Sequence, residues 1–499
     1  MTPQSGAPPA EASDESVVGR IARHAASKPR ARAIEDATGV WSYRDLDRES
    51  ALVAAQLARA GAAVASRVAL TGPRSAAYIA ALIGTFRARA VAIPVDPGEP
   101  PLFVERRLRA LNPAVTLRIE PRPPGGPHDP APPSATLPDD LAYILSTSGT
   151  TGEPKAVISV HRPLSHFLSW YSRRFGFTPQ DRFPLLTALC YDPFLRDVFT
   201  PLWTGGTLVI PPAAIGWNSP ATSAWLNEKR ISALHAGPAA FRRLLHDSPA
   251  GAMFLSLRHI AFHGDIVRWA DLELARLAAP RARIVTGYGA TETPQIVAVF
   301  EPGRHQAGTS PAEPMPLGFA APGTQLLVVD ERGELLPPGE PGEILVQSRY
   351  LSSGYVDDPE LTARKFLPGC VPGHPLERTF RTGDFGCKRR DGLVDFVARN
   401  QSFVKVDGCR VDTELVVRAL LEHPRVSEAR VETRAASVTG DPQIEGWLTL
   451  KPGGSSPEDL QAWLLPRVPP KMVPVRWHLN GALELGRTGK LRVTAGADP

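Results

Sequence analysis

One short segment constrains this chain more than any other. Residues 146–155 read Ser-Thr-Ser-Gly-Thr-Thr-Gly-Glu-Pro-Lys and lie between the apolar runs 141–145 and 156–158. This pattern predicts a strand, a loop rich in hydroxyls and glycine, and a second strand. Glycine lets backbone N–H groups approach an anion, hydroxyls donate further hydrogen bonds, and the lysine supplies positive charge. The segment favours a loop that holds a polyphosphate; a flexible surface loop is the alternative.

The two common nucleotide-binding motifs do not describe this segment. Pro154 stands where a Walker A loop has its second glycine, and Ala156 stands where that loop has a magnesium-binding hydroxyl. The GxGxxG motif also fails, because Gly287-Tyr288-Gly289 is followed three residues later by Glu292. A phosphate site in this chain must therefore be of another type.

Composition excludes several classes of protein. The chain has 499 residues, 43% of them hydrophobic and 21% charged, which is typical of a soluble globular protein of two or three structural units. The net charge of +5 is not concentrated in blocks, so no nucleic-acid surface is indicated. No apolar run approaches the ~20 residues of a membrane span. Residues 1–15 lack the apolar core of a secretory signal, so we expect a disordered tail on a cytoplasmic protein without a membrane partner.

Two residue types are informative because they are scarce. The four cysteines (Cys190, Cys370, Cys387 and Cys409) form no CxxC pair, which argues against a metal site or a disulfide framework. Only nine of the 56 basic residues are lysines. A lysine in this arginine-rich background is slightly more suspect of a chemical role, although a solvated surface lysine is the ordinary interpretation.

Helical and strand patterns alternate along the first three hundred residues. Residues 51–57 are helical in pattern, whereas 68–70 and 90–95 have the composition of buried strands. Helices alternating with short apolar strands predict α/β layering. Residues 315–397 contain short β-rich runs separated by turns, and the last hundred residues have a separate α+β pattern. The predicted fold class is α/β with a β-rich subdomain and a small C-terminal α+β unit.

Seven segments resemble, in order, the motifs of the adenylate-forming superfamily, and specifically the amino-acid adenylation domains of nonribosomal peptide synthesis. The segments are 41–46, 87–97, 146–155, 287–293, 380–384, 398–408 and 486–490. The resemblance covers about residues 16–499. It implies a large N-terminal adenylation core over 16–398 and a small mobile lid over 399–499.

The resemblance also implies a two-step reaction that uses ATP and Mg²⁺. An amino acid is joined to AMP with release of pyrophosphate, and the aminoacyl group then passes to the phosphopantetheine thiol of a carrier protein. No carrier-domain serine motif follows Lys490, so the expectation is a free-standing enzyme that meets its carrier in trans. Carrier proteins are usually acidic, which suits a mildly basic chain.

Residue roles follow from the same resemblance. Lys490 corresponds to the lid lysine that contacts the substrate carboxylate and the α-phosphate, and Lys405 to the lysine that faces the site after the lid rotates. Glu292 corresponds to the Mg²⁺ ligand. Tyr288 is expected to stack on adenine and Asp384 to bind the ribose hydroxyls. The other expected ATP contacts are Thr147, Ser148, Thr150, Thr151, Lys155, Thr291 and Arg399.

The hinge departs from the family pattern. Gln401 stands where these enzymes usually have Asp or Lys, Ala398 where Gly is usual, and Asp407 where Arg is common. A hinge only has to absorb a backbone rotation, so Gln401 remains a candidate for that role.

Asp192 decides between substrate classes. It resembles the aspartate that binds the α-ammonium of an amino acid, and a buried carboxylate needs such a cationic partner. Fatty and aryl acids have no ammonium, so an acyl- or aryl-CoA ligase is the alternative function; for Asp192 itself the alternative is a turn cap. The remaining pocket candidates are Pro193, Arg196, His235, Ala261, His263, Gly287, Gln295 and Ile296.

Few of these pocket residues are large and apolar, so a small or polar amino acid is expected. Arg196 has three possible fates: pairing with a side-chain carboxylate of the substrate, neutralisation by Asp197, or pointing away from the pocket. A non-catalytic scaffold is disfavoured by the presence of Lys155, Lys405 and Lys490 together with the acidic site residues. A luciferase-like oxygenase has no support in the sequence.

Overall fold

The computed structural model describes most of the chain. The described residues are 15–99, 101–125, 136–146, 155–217, 219–249, 251–303, 310–369, 378–399, 403–406, 409–435, 442–468, 472–480, 483–485 and 491–493. They form twelve helices and 27 strands. The helices are α1 (Val17–Ser27), α2 (Tyr43–Arg59), α3 (Ala76–Arg87), α4 (Pro101–Leu111), α5 (His161–Phe175), α6 (Pro193–Thr204), α7 (Thr222–Glu228), α8 (Pro238–His246), α9 (Trp269–Ala278), α10 (Pro359–Lys365), α11 (Thr413–Leu421) and α12 (Pro457–Leu464).

The strands fall into an N-terminal α/β part and a C-terminal β-rich part. The first thirteen are β1 (Arg32–Asp36), β2 (Gly39–Ser42), β3 (Arg67–Thr71), β4 (Val91–Val95), β5 (Val115–Arg118), β6 (Leu141–Ser146), β7 (Ala156–Val160), β8 (Arg182–Pro184), β9 (Thr207–Val209), β10 (Ala233–Ala236), β11 (His259–His263), β12 (Arg283–Ala290) and β13 (Thr293–Phe300). The others are β14 (Phe319–Ala320), β15 (Thr324–Val329), β16 (Pro341–Ser348), β17 (Gly354–Tyr355), β18 (Phe366–Pro368), β19 (Arg378–Lys388), β20 (Val394–Arg399), β21 (Phe403–Val406), β22 (Cys409–Asp412), β23 (Val426–Ala435), β24 (Pro442–Leu450), β25 (Arg476–Leu479), β26 (Leu483–Leu485) and β27 (Leu491–Val493).

Two mixed sheets form the centre of the N-terminal part, as the alternating pattern predicted. One has six strands in the order β17-β7-β6-β4-β3-β5, and the other has five in the order β10-β11-β12-β13-β14. Helix α3 is buried along its whole length, as expected for a helix that is apolar on all sides. It begins at Ser75, whose hydroxyl accepts a hydrogen bond from the backbone N–H of Tyr78 at 3.2 Å.

The predicted strand–loop–strand unit is confirmed at its two strands. β6 and β7 are antiparallel neighbours, and their register pairs Ser146 with Ala156. The two ends of the loop over 147–154 therefore lie side by side. β17 extends the same sheet by pairing Tyr355 with Val157, which brings a segment from much later in the chain next to the loop.

The β-rich subdomain is confirmed as well. β15, β16, β19 and β18 form one sheet, and β20 pairs with β19. Strands from β21 onward pair only among themselves in the described part of the chain. A boundary near Arg399 stays a prediction. No described helix combines the length and the apolar composition that crossing a bilayer requires.

Candidate active site

Most of the predicted pocket residues lie on strands of the five-stranded sheet. His235 lies on β10, Ala261 and His263 on β11, and Gly287 on β12; the register pairs His235 with Ala261 and His263 with Gly287. β10, β11 and β12 are parallel, so their carboxyl ends open at the same edge of the sheet. Ile296 on β13 packs closely against Gly287: a Cβ on Gly287 would lie only 2.6 Å from the Cδ1 atom of Ile296.

The hairpin formed by β12 and β13 has an irregular pairing that positions Gln295. Its register pairs Tyr288 with Ala298 and Ala290 with Thr293, so the single residue Gly289 faces residues 294–297. Gln295 lies in this bulge with a φ of 74°, in the left-handed region that residues other than glycine seldom adopt. Such backbone strain is concentrated at functional sites.

Gln295 holds the carboxylate of Asp192. Its side-chain amide donates to Oδ1 of Asp192 at 2.8 Å, and its backbone N–H donates to Oδ2 at 3.3 Å. Asp192 precedes helix α6 but makes no side-chain capping bond, which argues against the turn-cap alternative. Burial raises the pKa of Asp192 to about 7, although the nearby Arg196 cation and the Gln295 N–H lower it. This carboxylate is oriented by the protein and lacks a bonded cation among the described residues.

A second acidic residue lies close to Tyr288. The Tyr288 hydroxyl donates to Oδ2 of Asp384 at 2.8 Å, and only 4% of Asp384 is exposed. Asp384 follows a turn in which the Thr382 hydroxyl accepts from its backbone N–H at 2.9 Å. The register of β19 and β20 places Arg399 opposite Asp384; the Arg399 side chain lies outside the described part. Tyr288 and Asp384, two residues predicted to bind the nucleoside, thus meet at one place.

Glu292 and Lys155 both lie beside Tyr355, at the end of the glycine-rich loop. The Tyr355 hydroxyl donates to Oε1 of Glu292 at 2.7 Å, and Lys155 Nζ lies 5.9 Å from the centroid of the Tyr355 ring. Ser352 anchors the backbone carbonyl of Glu292 through its own N–H and hydroxyl, at 3.0 and 3.1 Å. A carboxylate and an ammonium group beside one loop suit a metal–phosphate complex.

The loop itself lies outside the described residues, and so do Thr147, Ser148, Thr150 and Thr151. Ser146, the last described residue before the loop, is held by Arg107. The guanidinium of Arg107 donates to the Ser146 hydroxyl at 3.2 Å and to Glu99 at 2.6 Å. Thr291 lies in the turn between β12 and β13, directly before Glu292.

Comparison with known proteins identifies the family. The family model described as AMP-binding enzyme matches residues 21–356, about two thirds of the chain. The chain belongs to the AMP-binding enzyme family. It is an adenylating ligase of the type found in nonribosomal peptide synthesis, and its α/β architecture is that of adenylation-domain structures.

One curated relative is the phenyloxazoline synthase MbtB of Mycolicibacterium paratuberculosis, 31% identical over 97% of this chain and 42% of the relative. Among solved structures, Klebsiella oxytoca NpsA in complex with 3-hydroxyanthranilyl-AMSN is 22% identical, with a TM-score of 0.82 over 96% of this chain and 98% of that one. A four-domain nonribosomal peptide synthetase, holo-AB3403 bound to AMP and glycine, is 24% identical, with a TM-score of 0.83 over 98% of this chain and 37% of that one. The chain spans less than half the length of the MbtB relative.

In this AMP-binding enzyme, Arg196 lies on α6 one turn after Asp192 and Pro193, and only 2% of it is exposed. Its Nε and Nη2 atoms are buried without a hydrogen-bond partner among the described residues. Asp197 does not neutralise it: Oδ1 of Asp197 bonds to Nδ1 of His235 at 2.8 Å, and Oδ2 accepts from the Thr187 hydroxyl. The second predicted fate of Arg196 is therefore wrong.

His235 belongs to a buried chain of hydrogen bonds. Its Nε2 contacts the Tyr171 hydroxyl at 3.0 Å, and the same hydroxyl contacts Nε2 of His259 at 3.1 Å. Burial lowers the pKa of His235 despite the Asp197 carboxylate, so the ring is neutral at neutral pH. Both ring nitrogens of His235 are bonded to protein, and the ring positions Asp197.

The two lysines predicted to be catalytic are not placed by the described geometry. Lys405 lies on β21 opposite Arg410, with its side chain outside the described part; Lys490, Gln401 and Asp407 lie wholly outside it. Their roles stay predictions.

Two residues at the site were not predicted from the sequence. Tyr355 orients Glu292 from 63 residues away, a relation that no local pattern carries. Lys365 Nζ donates to the Arg381 carbonyl at 3.2 Å; burial lowers the pKa of Lys365, which Glu343 and Glu292 counteract. The only feature of the sequence that pointed to Lys365 was the scarcity of lysine in the chain.

Proposed function

We propose that this enzyme activates a small or polar amino acid as its aminoacyl-AMP and then transfers the aminoacyl group to the phosphopantetheine thiol of a separate carrier protein. The observation that carries the proposal is Asp192, a buried carboxylate that Gln295 orients and that no protein cation neutralises in the described part of the chain. An amino-acid ammonium supplies the missing cation. The AB3403 synthetase was solved with AMP and glycine bound, which is consistent with this assignment.

The adenylation step is a displacement at the α-phosphorus of ATP. A carboxylate oxygen of the amino acid forms a bond to phosphorus, and the bond from phosphorus to the bridging oxygen breaks and releases pyrophosphate. Such a transfer needs positioning and neutralisation of charge more than covalent help. Asp192 positions the amino acid, Tyr288 and Asp384 hold the nucleoside, Lys155 contacts the phosphates, and Lys490 neutralises charge at the reacting carboxylate.

Glu292 fits the role of Mg²⁺ ligand. Mg²⁺ in nucleotide enzymes is held by one or two carboxylates together with phosphate oxygens and water. Among the described residues only Oε1 of Glu292 is engaged, by Tyr355, so Oε2 remains for the ion. No group of three or more potential metal ligands occurs in the described part of the chain, so the phosphates must supply the rest. The ion, when bound, neutralises phosphate charge.

ATP–pyrophosphate exchange against a panel of amino acids, aryl acids and fatty acids tests the first step. We expect exchange with amino acids and none with acids that lack an ammonium group. Lys490→Ala should lower exchange by ~10²–10³, the usual effect of removing one transition-state charge donor. Exchange confined to aryl or fatty acids, with CoA consumption, would instead establish the CoA-ligase alternative.

Loading of a phosphopantetheinylated carrier protein, followed by mass spectrometry, tests the second step. Lys405→Ala should slow loading more than exchange. Equal losses in the two half-reactions would remove Lys405 from the thiolation step.

A further inference from the structure

Arg196 has a buried charge with no paired anion in the part of the chain that the structure describes. It is 2% exposed, and its Nε and Nη2 atoms bond to none of the described residues. A guanidinium does not lose its proton in a protein, so burial cannot be relieved by neutralisation as it can for a lysine. An unpaired buried charge destabilises the folded state by several kcal/mol. The arrangement is explained if an anion joins Arg196 when the site is occupied.

The two neighbouring carboxylates do not supply that anion. Asp197 bonds to His235 and Thr187 through its two oxygens. Asp192 is near enough for Arg196 to lower its pKa, yet the two side chains form no ion pair within 4 Å. Gln295 instead holds Asp192 in place. A cation and an anion thus lie near each other at the start of α6, each without a bonded partner of opposite charge among the described residues.

We propose that the substrate is an acidic amino acid, whose side-chain carboxylate pairs with the Arg196 guanidinium while its ammonium group pairs with Asp192. This inference rests on the proposed function and names the substrate class of the same site. The charges are complementary: the positive ammonium of the substrate faces the negative Asp192, and its negative side-chain carboxylate faces the positive Arg196. A planar guanidinium also suits two-point contact with a carboxylate.

Spacing limits the length of that side chain. Asp192 and Arg196 are four residues apart at the start of α6, which places their Cβ atoms about 5–6 Å apart on one face of the helix. This separation suits an amino acid whose side-chain carboxylate is one or two methylene groups from the α-carbon, as in aspartate and glutamate. An amide of the same shape fits the space but leaves the guanidinium charge unneutralised.

The test compares exchange kcat/KM for aspartate, glutamate, asparagine, glutamine, alanine and succinate. We expect an acidic amino acid to exceed its amide by ~10²–10³, the effect of leaving one partner of a buried ion pair uncompensated. Arg196→Met should abolish that preference, reducing turnover of the acid by a similar factor and that of the amide by less than about tenfold. Arg196→Lys should retain part of it, because charge persists without the planar fork.

Arg87→Met is the matched control. Arg87 is also a buried arginine, but its guanidinium is paired with Asp47 at the α2–α3 contact, so its loss should affect stability and not substrate preference. Melting temperatures of all variants separate misfolding from altered selectivity. If Arg196→Met does not fold, the wild-type preference and Arg196→Lys still decide.

The outcomes separate the two proposals. Exchange with alanine or an amide at least equal to that with aspartate and glutamate overturns the acidic substrate and leaves amino-acid activation standing. An unchanged acid preference in Arg196→Met also overturns the role of Arg196. Exchange with succinate and with no amino acid overturns amino-acid activation. Exchange with none of the panel overturns the acidic substrate, and the wider panel of amino acids given under the proposed function then decides amino-acid activation.

Discussion

At the scale of single residues, the pocket depends on charges that the folded protein holds at a cost. Asp192 is 7% exposed, and its pKa of about 7 lies well above the ordinary value of 3.8. A buried carboxyl with a raised pKa favours unfolding once it ionises. This destabilising effect is absent below about pH 4, grows as the pH rises, and is complete above about pH 7. The residue proposed to bind the substrate is therefore one that destabilises the empty enzyme.

Asp192→Asn should make the empty enzyme more stable and nearly inactive. The gain in the free energy of unfolding is at most ~4 kcal/mol above pH 7, at 1.36 kcal/mol for each unit of pKa shift, and it should shrink as the pH falls toward 4. Exchange should fall by ~10²–10³, because a buried ammonium loses its counter-ion. Urea unfolding at pH 5 and pH 8 measures the first effect.

Asp139→Asn provides the contrast. The hydrogen bond from half-buried Arg162 lowers the pKa of exposed Asp139, so that substitution should reduce stability slightly at neutral pH. A stability difference for Asp192→Asn that does not change between pH 5 and pH 8 would contradict the raised pKa.

At the scale of elements, the β12–β13 hairpin connects the two halves of the site. It carries Tyr288 and Glu292, which are predicted to bind ATP and Mg²⁺, and Gln295, which holds Asp192. The bulge that turns Gln295 inward depends on close backbone contact, since a Cβ at Gly289 would lie 2.1 Å from the Gln295 carbonyl oxygen. The position at 289 therefore requires glycine for space.

Gly289→Ala should shift the hairpin and misplace the Gln295 amide. We expect a loss of about 1–3 kcal/mol in stability, typical of overpacking, and a larger proportional loss of exchange. Gly216→Ala is the matched control, because a Cβ there meets nothing within 4 Å and its stability should change by less than about 0.5 kcal/mol. Thermal unfolding and exchange kinetics give the two readouts. Normal exchange in Gly289→Ala would show that the bulge does not position Gln295.

At the scale of the whole molecule, a buried ion pair joins the C-terminal part to the large domain. Arg268, just before α9, donates to Glu414 of α11 at 2.6 Å, and both side chains are about nine-tenths buried. Burial raises the pKa of Glu414, although Arg268 lowers it. The contact joins residues 146 positions apart and stabilises the arrangement seen in this structure.

Glu414→Ala should loosen that arrangement, because it leaves the Arg268 charge buried and unpaired at a cost of ~3–5 kcal/mol. Amide hydrogen exchange in α11 should become faster, while exchange in α3 stays slow. If the lid adopts different positions in the two half-reactions, adenylation and thiolation rates should change by unequal factors. Arg243→Gln, which breaks an exposed pair with Asp247, is the control and should change neither. Unchanged protection of α11 would show that the pair does not hold the lid.

The sequence by itself determined the family, the α/β class, the strand–loop–strand unit and the chemistry expected of Asp192, because these are written in local spacing and residue type. Only the tertiary structure decided which groups are partners. Gln295 meets Asp192 across 103 positions, Tyr355 meets Glu292 across 63, and Asp197 turns to His235 and leaves Arg196 unpaired. Such pairings depend on how strands β10 to β13, helix α6 and strand β17 pack together. Periodicity along a chain predicts the elements but does not predict the distances between them. The charge of Arg196 was visible in the sequence; its lack of a partner among the described residues, on which the proposed substrate class rests, arises from the fold.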